Sequence, residues 1–212
     1  MNAQHDDGAA PSMVDLVFVL RGRQLPHEHR VLLAAALEAA LPWLAGAPGA
    51  GVHRLNVADA PAGGAAQALL AQRTRLVLRL PRARAADAAA LTGQTLDIGG
   101  HALCVGALHA RELRPWGTLY AHLVALEAGV DEAAFMQQVE HELDRLGLPC
   151  RPICGRPQRL ESGRLQGHSL MLDGLSAAQS LRLQDLGLGP HRRLGCGLFV
   201  PHRSAAAVGA PA

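Results

Sequence analysis

The stretch VDLVFVLRGRQLPHEHRVLLAAALEAALPWL (residues 14–44) joins a short apolar run to a longer segment of helical spacing. Residues 14–20 are apolar at every position but one, a pattern typical of a buried strand. Between residues 27 and 44 the apolar positions 31, 32, 33, 37, 41 and 44 predict a helix, with Pro26 suited to its first turn. A strand followed by a helix is therefore the predicted opening unit of the fold.

The remainder of the first half continues with strands and one short helix. Residues 73–80 (RTRLVLRL) alternate and predict a half-buried strand, and the Ala-rich residues 82–91 predict a short helix. Gly99-Gly100, at the centre of residues 95–105, indicates a hairpin. A strand at 51–57 and an extended edge at 107–114 complete this half.

The order of elements then starts again. Residues 118–126 alternate as a strand, and residues 131–146 predict a helix with Asp131 as N-cap and Gly147 as its stop. Residues 176–186 predict a second helix with a Ser cap. Extended stretches are expected near 150–160, at 168–173 and at 197–201.

Both halves thus follow the order strand–helix–strand–strand–helix–strand. This repetition predicts an α+β fold of two tandem ferredoxin-like (βαββαβ) domains, with a glycine-rich loop near the C-terminus. The expected boundaries are a disordered tail at 1–12, domains at 13–115 and 116–203, and a second disordered tail at 204–212. The ferredoxin-like fold hosts many functions, so it does not decide the activity.

Charge is distributed unevenly along the chain. The net charge is only +2, and all 20 basic residues are Arg. Residues 151–203 contain 8 Arg and 3 acids, whereas residues 1–150 contain 12 Arg and 15 acids. A basic C-terminal part is what an electrostatic footprint for phosphate requires.

Other features of the composition argue against a disulfide-rich, metal-binding, secreted or membrane-spanning protein. The four Cys residues do not form a disulfide framework, and the CxxxC spacing of Cys150 and Cys154 has no second pair nearby, so no metal and no cofactor are expected. The N-terminus is acidic and polar rather than a signal peptide, and no apolar run reaches the roughly 20 residues of a membrane span. The expected location is cytoplasmic.

The segment GLGPHRRLGCG (residues 187–197) is the strongest functional signal. Glycine tolerates positive φ and allows close approach of the backbone to a ligand, and exposed N–H groups in such turns bind anions. The alternative is a Gly-rich helix stop whose Arg side chains are merely solvated. The residues predicted to bind RNA here are Gly187, Gly189, His191, Arg192, Arg193, Gly195 and Gly197.

This spacing, GxGxxxxxGxG with basic residues inside, resembles the signature loop of the RAMP proteins of CRISPR systems. In particular, the chain resembles the Cas six family of CRISPR-associated endoribonucleases. The opening segment (residues 14–44) and the closing segment GLSAAQSLRLQDLGLGPHRRLGCGLFVP (residues 174–201) resemble its MYXAN subtype. The resemblance implies a metal-independent nuclease that cleaves precursor CRISPR RNA within its repeats to produce mature guide RNAs. It also implies a duplicated ferredoxin-like fold.

Cleavage of this kind uses the RNA 2′-OH as nucleophile and leaves a 2′,3′-cyclic phosphate and a 5′-OH. It needs a general base, an acid and positive charge at the phosphate, and a histidine is suited to the proton transfer at neutral pH. His29 is the first candidate, because it lies in LPHEHRVLL where the family's helix resembles LPxDHxxxL. His27 is the second candidate, and Arg21 and Arg23 are expected to hold the scissile phosphate.

Weaker candidates stay open. His53 lies in a predicted strand and is more often structural in such a position, as is Tyr120. Further Arg residues could contact RNA phosphates: Arg73, Arg75, Arg79, Arg156, Arg159 and Arg164. The expected partners are CRISPR repeat RNA, as precursor and mature guide, and other CRISPR effector subunits, with no membrane and no direct DNA contact. The alternatives are a non-catalytic RAMP subunit that only holds RNA, and an unrelated ferredoxin-like protein whose loop binds a small anion.

Overall fold

The computed structural model describes residues 11–59, 67–126 and 131–203. The described part of the first half contains eight strands and two helices. The strands are β1 (Met13–Arg21), β2 (Gln24–Pro26), β3 (Gly51–Val52), β4 (Val57–Asp59), β5 (Gln67–Leu70), β6 (Arg75–Pro81), β7 (Thr95–Asp97) and β8 (Ala102–Arg111). The helices are α1 (Arg30–Ala40) and the short α2 (Ala85–Ala88), with 3₁₀ turns at Pro42–Gly46, Arg82–Arg84 and Ala89–Leu91.

The second half repeats this order with fewer interruptions. Its elements are β9 (Thr118–Leu126), α3 (Glu132–Leu146), β10 (Arg151–Leu160), β11 (Leu165–Asp173), α4 (Ala177–Leu186), a 3₁₀ turn at Arg192–Leu194 and β12 (Phe199–Pro201). The predicted caps are confirmed, because Asp131 accepts the N–H of Ala134 and Ser176 forms a capping box with Gln179. Gly147 closes α3 in a left-handed conformation, as predicted.

The sheet topology confirms the duplicated ferredoxin-like fold. The larger sheet has the strand order β3-β6-β1-β8-β7, and the second sheet has the order β10-β11-β9-β12. All neighbouring strands within them are antiparallel. If the four main strands of each half are numbered along the chain, both sheets read 2-3-1-4. Each sheet takes its strands from one half of the chain, and the predicted hairpin around Gly99-Gly100 joins β7 to β8.

Each sheet is covered by a helix whose apolar face recurs at helical spacing. In the first core, Leu33, Ala34 and Leu37 of α1 are buried together with the apolar side chains of β1 and β6. In the second core, Phe135, Val139 and Leu143 of α3 are spaced four residues apart and are buried against β9 and β11. These spacings explain why both helices are anchored by a single stripe of side chains.

The structure corrects the predicted helix at residues 27–44. Helix α1 begins at Arg30, because residues 24–26 pair with β5, and the chain turns through His27 and Glu28 before the helix. It ends at Ala40, two residues before Pro42, whose ring is incompatible with a continuing helix. His29 is therefore the N-cap residue of α1, and His27 lies outside the helix.

Other sequence predictions differ in smaller ways. The strand expected at 51–57 is two short strands, β3 and β4, that join different sheets. A small third sheet, β2-β5-β4, was not predicted. The predicted tails at 1–12 and 204–212 fall outside the described residues except for Pro11 and Ser12, and Ser12 hydrogen-bonds Asp185 through its N–H and its hydroxyl. Within the part of the chain that the structure describes, no helix is both long and apolar enough to cross a membrane.

A buried ion pair connects the two halves. Arg79 on β6 is only 1% exposed, and its guanidinium donates to both carboxylate oxygens of Asp15 at 2.8 and 3.2 Å. The same guanidinium donates to the carbonyl oxygens of Gln184 (3.3 Å) and Phe199 (2.8 Å) in the second half. Burial raises the pKa of Asp15, but contacts with His53 and Arg79 outweigh it and hold this pKa well below its ordinary value.

Replacing Asp15 with Asn should therefore destabilise the protein by about 3–5 kcal/mol at pH 7, because the buried charge of Arg79 loses its partner. The free energy of unfolding from urea titration measures this. Because the folded-state pKa of Asp15 lies below its unfolded value, the difference from wild type should shrink as the pH falls below about 4. Glu112→Gln, which breaks an exposed pair with Arg82, is the control and should leave the urea midpoint unchanged. Equal midpoints for the two variants would contradict this role of Asp15.

Candidate functional site

The glycine-rich loop (residues 187–197) is folded back on itself. The N–H of Leu188 donates to the carbonyl of Gly197 at 3.2 Å, and the N–H of Gly197 donates to the carbonyl of Leu123 on β9 at 2.7 Å. Gly197 has φ +63°, and a Cβ at this position would lie 1.9 Å from the Leu188 carbonyl oxygen. Glycine is therefore required at position 197 both by the backbone conformation and by the close approach of the two strands of the loop.

Arg192 fills the interior of this loop. Its guanidinium donates to the carbonyl oxygens of Leu186 and Asp185 at the C-terminal end of α4, where the helix leaves carbonyls without partners. Burial and the nearby charge of Arg79 lower the pKa of Arg192 to about 10, so the side chain is still charged at neutral pH. The sequence predicts that Arg192 contacts RNA. In the structure its guanidinium instead points into the loop, because the carbonyls at the C-terminal end of α4 attract a cation.

The centre of the loop packs against helix α1 of the first half. Arg193, whose side chain is 41% exposed, forms an ion pair with Glu38 of α1. The guanidinium of Arg30, in the first turn of α1, donates to the carbonyl oxygen of Leu194 at 3.0 Å. His191 is exposed and has a left-handed conformation, φ +64°. The loop and the start of α1 therefore form one surface.

A small hollow lies at this junction, and we call it the His29 hollow. Basic and histidine side chains share it with four aliphatic ones. Its lining residues are His29, Arg30, Leu33, Val52, His53, Arg54, Leu55, Arg193 and Leu194. The structure thus brings the predicted residues His29 and Arg193 together, although 164 positions separate them in the sequence.

The imidazole of His29 is oriented by backbone carbonyls. Its Nδ1 lies 3.0 Å from the carbonyl oxygen of Pro26 and 2.9 Å from that of His27. Because carbonyls only accept, Nδ1 carries the proton and donates it, which leaves the lone pair on Nε2. No residue that the structure describes forms a hydrogen bond with Nε2 of His29, and the side chain is 6% exposed. Burial lowers the pKa of His29, so the neutral form predominates at neutral pH.

Two arginines that the sequence did not suggest stand beside His29. Arg54, between β3 and β4, is exposed and forms no ion pair with any carboxylate in the described ranges. Burial lowers the pKa of Arg30, and the charge of Arg54 acts in the same direction. Burial and the charges of Arg54 and Arg30 lower the pKa of His122 on β9 to about 4. This concentration of positive charge favours an anion between the two halves.

The other predicted residues lie apart from the hollow or have structural partners. Arg21, at the end of β1, and Arg23, before β2, are exposed, and neither lines the hollow. His27 is exposed and two residues before the N-cap. His53 lines the hollow, but its Nε2 lies 3.6 Å from the Asp15 carboxylate, and burial lowers the pKa of His53. Tyr120 on β9 stacks at 5.5 Å on His202.

The missed residues carry weak sequence signals. Arg30 follows His29 directly, and Arg54 and His122 are isolated basic residues in strands or between them. These residues come together only when β9 and the β3–β4 connection fold next to α1. The residues that the structure describes include no group of three or more His, Cys, Asp or Glu side chains arranged to hold a metal ion.

Solved structures of other proteins share the fold of this chain. One is a CRISPR-associated Cas6 protein, with a TM-score of 0.65 and 11% identity over 90% of this chain and 100% of that one. Another is described as a RAMP protein binding different RNA substrates, with a TM-score of 0.59 and 13% identity over 88% of this chain and 98% of that one.

The chain belongs to the Cas6 family. The family model described as "Cas6 Crispr" matches residues 14–204. A relative from Myxococcus xanthus, described as "CRISPR-associated endonuclease Cas6", is 36% identical over 92% of this chain and 84% of its own length. A Cas6-related protein of Pyrococcus furiosus has a TM-score of 0.57 and 12% identity, over 89% of this chain and 98% of that one. The family membership expected from the sequence is thereby confirmed.

Replacing Gly197 with Ala should destabilise the protein by about 2 kcal/mol or more, because left-handed strain and a clash with the Leu188 carbonyl act together. Gly100→Ala is the matched control, since Gly100 also has positive φ (+84°) but a Cβ there meets nothing within 4 Å. This control should cost only about 1 kcal/mol. Thermal unfolding of the two variants tests the comparison, and equal losses would show that the close approach of the loop strands is unimportant.

Proposed function

We propose that the chain is a metal-independent endoribonuclease that cleaves precursor CRISPR RNA within its repeats and so produces mature guide RNAs. Membership of the Cas6 family and the endonuclease named among its relatives support this activity. The observation that carries the proposal is the imidazole of His29, which has Nε2 available and stands beside Arg30, Arg54 and Arg193.

In this mechanism Nε2 of His29 acts as the general base. It removes the proton of the 2′-OH, and the oxygen then attacks the adjacent phosphorus. The bond from phosphorus to the 5′ oxygen breaks, and the departing 5′ oxygen takes a proton from water, which leaves a 2′,3′-cyclic phosphate and a 5′-OH. A base of this type requires the neutral imidazole at the working pH, and the lowered pKa of His29 meets that requirement.

The arginines of the hollow would stabilise the charge that develops on the phosphate oxygens. Guanidinium groups suit this task because their planar arrangement of donors matches a phosphate. Arg54 has no carboxylate partner among the described residues, so its full positive charge would act on an RNA phosphate. The same phosphate would relieve the repulsion between Arg54 and Arg30, which makes binding of the charged group favourable.

Other exposed basic residues would hold the RNA away from the cut. We assign binding roles to His191 and Gly189 in the loop, to Arg21 at the end of β1 and to Arg23 before β2. The N–H groups of Gly187, Gly195 and Gly197 donate to the carbonyls of Leu183, Arg192 and Leu123, so these glycines shape the loop instead of binding RNA. Exposed arginines on β10 and in the turn that follows it extend the basic surface: Arg156, Arg159 and Arg164. Shape and phosphate contacts dominate recognition of RNA stems.

This assignment uses both halves of the chain, which we divide into domains at 13–115 and 116–203. The first half would supply the base and the second half would supply the loop. We also propose a cytoplasmic location, where repeat transcripts are made. Other CRISPR effector subunits are further candidate partners, and no DNA contact is proposed.

His29→Ala should slow cleavage of a cognate repeat RNA by about 10²–10⁴-fold, because the proton acceptor is lost. The single-turnover rate is measured in EDTA, with RNA affinity measured in parallel and expected to be unchanged. His27→Ala is the matched control, since His27 is exposed and lies outside helix α1, and its rate should stay near that of wild type. Wild-type cleavage by His29→Ala would overturn the site, whereas binding without any cleavage by the wild type would indicate a non-catalytic RNA-holding subunit.

Arg54→Ala should weaken RNA binding and reduce the salt dependence of binding by about one phosphate contact, a change of about 0.7–0.9 in the slope of log Kd against log salt. Gel-shift titrations at several salt concentrations provide both values. Arg182→Ala, on the exposed face of α4, is the control for the loss of one positive charge and should leave the slope unaltered. The same change in both variants would mean that Arg54 contributes only to the overall charge.

A further inference from the structure

The turn between β10 and β11, residues 161–164, reaches from the second half to the first turn of helix α1. We call this turn the hairpin tip. Glu161 is a buried carboxylate, 7% exposed, and its Oε1 accepts the backbone N–H of Arg30 at 2.9 Å. These two residues are 131 positions apart in the sequence. The contact is therefore a tertiary one, made between the two ferredoxin-like units.

Helix α1 lacks a cap of its own. Its N-cap residue, His29, has φ −107° and ψ −6°, and its side chain makes no capping hydrogen bond. The first turn of a helix leaves backbone N–H groups without internal partners, and a negative charge there is favourable. Glu161 supplies both the acceptor and the charge, and it does so at the residue immediately after His29.

A second contact lies immediately before His29. The carboxylate of Glu28 accepts the backbone N–H of Ser162 at 2.5 Å and the Ser162 hydroxyl at 2.6 Å. Consecutive residues of the hairpin tip are thus bonded to Glu28 and Arg30, the two neighbours of His29. The other half of the molecule therefore binds the residue on each side of His29, through the side chain of Glu28 and the backbone N–H of Arg30.

The conformation of the hairpin tip is adapted to these contacts. Glu161 and Ser162 have φ values of +52° and +53°, a left-handed region that residues other than glycine and asparagine rarely adopt. A turn of this kind ordinarily favours Asn or Gly. The left-handed backbone is unfavourable for Glu161 and Ser162, and the hydrogen bonds of their side chains to Arg30 and Glu28 offset this cost.

We infer that Glu161, supported by Ser162, is a positioning residue for the His29 imidazole, a role that rests on the proposed function of His29 as base. The hairpin tip binds the Arg30 backbone and the Glu28 side chain, and the carbonyls of Pro26 and His27 set the ring orientation. The second half of the chain thereby controls the base as well as the RNA. Without Glu161, the imidazole has a less defined position relative to the arginines of the hollow.

The charge of Glu161 also acts on His29. Burial lowers the pKa of His29, the carbonyls of His27 and Pro26 oppose this, and among the charges Arg30 lowers the pKa while Glu161 raises it. Several charged or titratable groups surround the imidazole: His27, Glu28 and Arg30 from its own segment, His53 and Arg54 from the segment after β3, Arg193 from the glycine-rich loop, and Glu161 from the hairpin tip. Removal of the Glu161 carboxylate removes the charge that opposes Arg30, so the pKa of His29 should fall.

Two substitutions separate position from charge. Glu161→Gln keeps an oxygen that can accept the Arg30 N–H but removes the charge, whereas Glu161→Ala removes both. Glu140→Gln and Glu140→Ala are matched controls, because Glu140 is an exposed glutamate on α3 outside the hollow. For each variant, NMR titration of the His29 ring and the pH dependence of single-turnover cleavage of repeat RNA are measured, with RNA affinity in parallel.

Glu161→Gln should lower the pKa of His29 in the NMR titration. Since the base must be neutral, the loss of activity at acidic pH should move to lower pH in this variant. Glu161→Ala should in addition reduce the plateau rate by about tenfold to a hundredfold, as expected for a misplaced reacting group, with RNA affinity unchanged. Neither Glu140 variant should alter the titration or the rate.

An unchanged His29 titration in Glu161→Gln would overturn the inference, as would an unchanged plateau rate in a folded Glu161→Ala variant. If Glu161→Ala does not fold, the titration and the pH profile of Glu161→Gln decide alone. The NMR titration needs no cleavage activity, so it distinguishes two failures. Normal cleavage by His29→Ala removes the proposed base, whereas the titration still shows whether Glu161 acts on His29.

Discussion

Arg79 places its guanidinium between the two halves of the molecule, where Asp15 binds it on one side and the carbonyl oxygens of Gln184 and Phe199 bind it on the other. A buried charge is costly unless every donor has a partner, so this arrangement tolerates little displacement of either half. Gln184 lies shortly before the glycine-rich loop, and Phe199 lies just after it. The ends of the loop are therefore fixed relative to the first sheet.

The remaining features of the site follow from that constraint. With its ends fixed, the loop rests on α1, where Leu194 accepts a hydrogen bond from Arg30 and Arg193 pairs with Glu38. The hairpin tip reaches the same helix from another direction through Glu161 and Ser162. The His29 hollow, with two imidazoles and three guanidinium groups, lies where the loop and the start of α1 meet the segment after β3.

The electrostatics of the hollow are asymmetric in a way that suits the proposed chemistry. Burial lowers the pKa of His29 and of His122, so both rings are neutral at neutral pH, whereas the arginines stay charged. A neutral base beside fixed cations can accept a proton while the cations bind a phosphate. Asp15 and Glu161, the nearby carboxylates, are committed to Arg79 and to the N-terminus of α1, so neither neutralises Arg54.

The sequence alone determined the order of the main strands and helices of the two large sheets, the caps at Asp131, Ser176 and Gly147, and the hairpin at Gly99-Gly100, because apolar periodicity and turn chemistry act over a few residues. It also indicated His29 through a local motif. It did not reveal that Arg192 turns inward, that Arg79 is buried, or that Arg30, Arg54 and Glu161 surround His29. Those facts were decided by the tertiary structure. The contacts of Arg79 and Glu161 join segments more than a hundred residues apart, and no local pattern in the chain encodes such a distance. The inward turn of Arg192 and the position of Arg54 depend on how the glycine-rich loop and the β3–β4 connection fold.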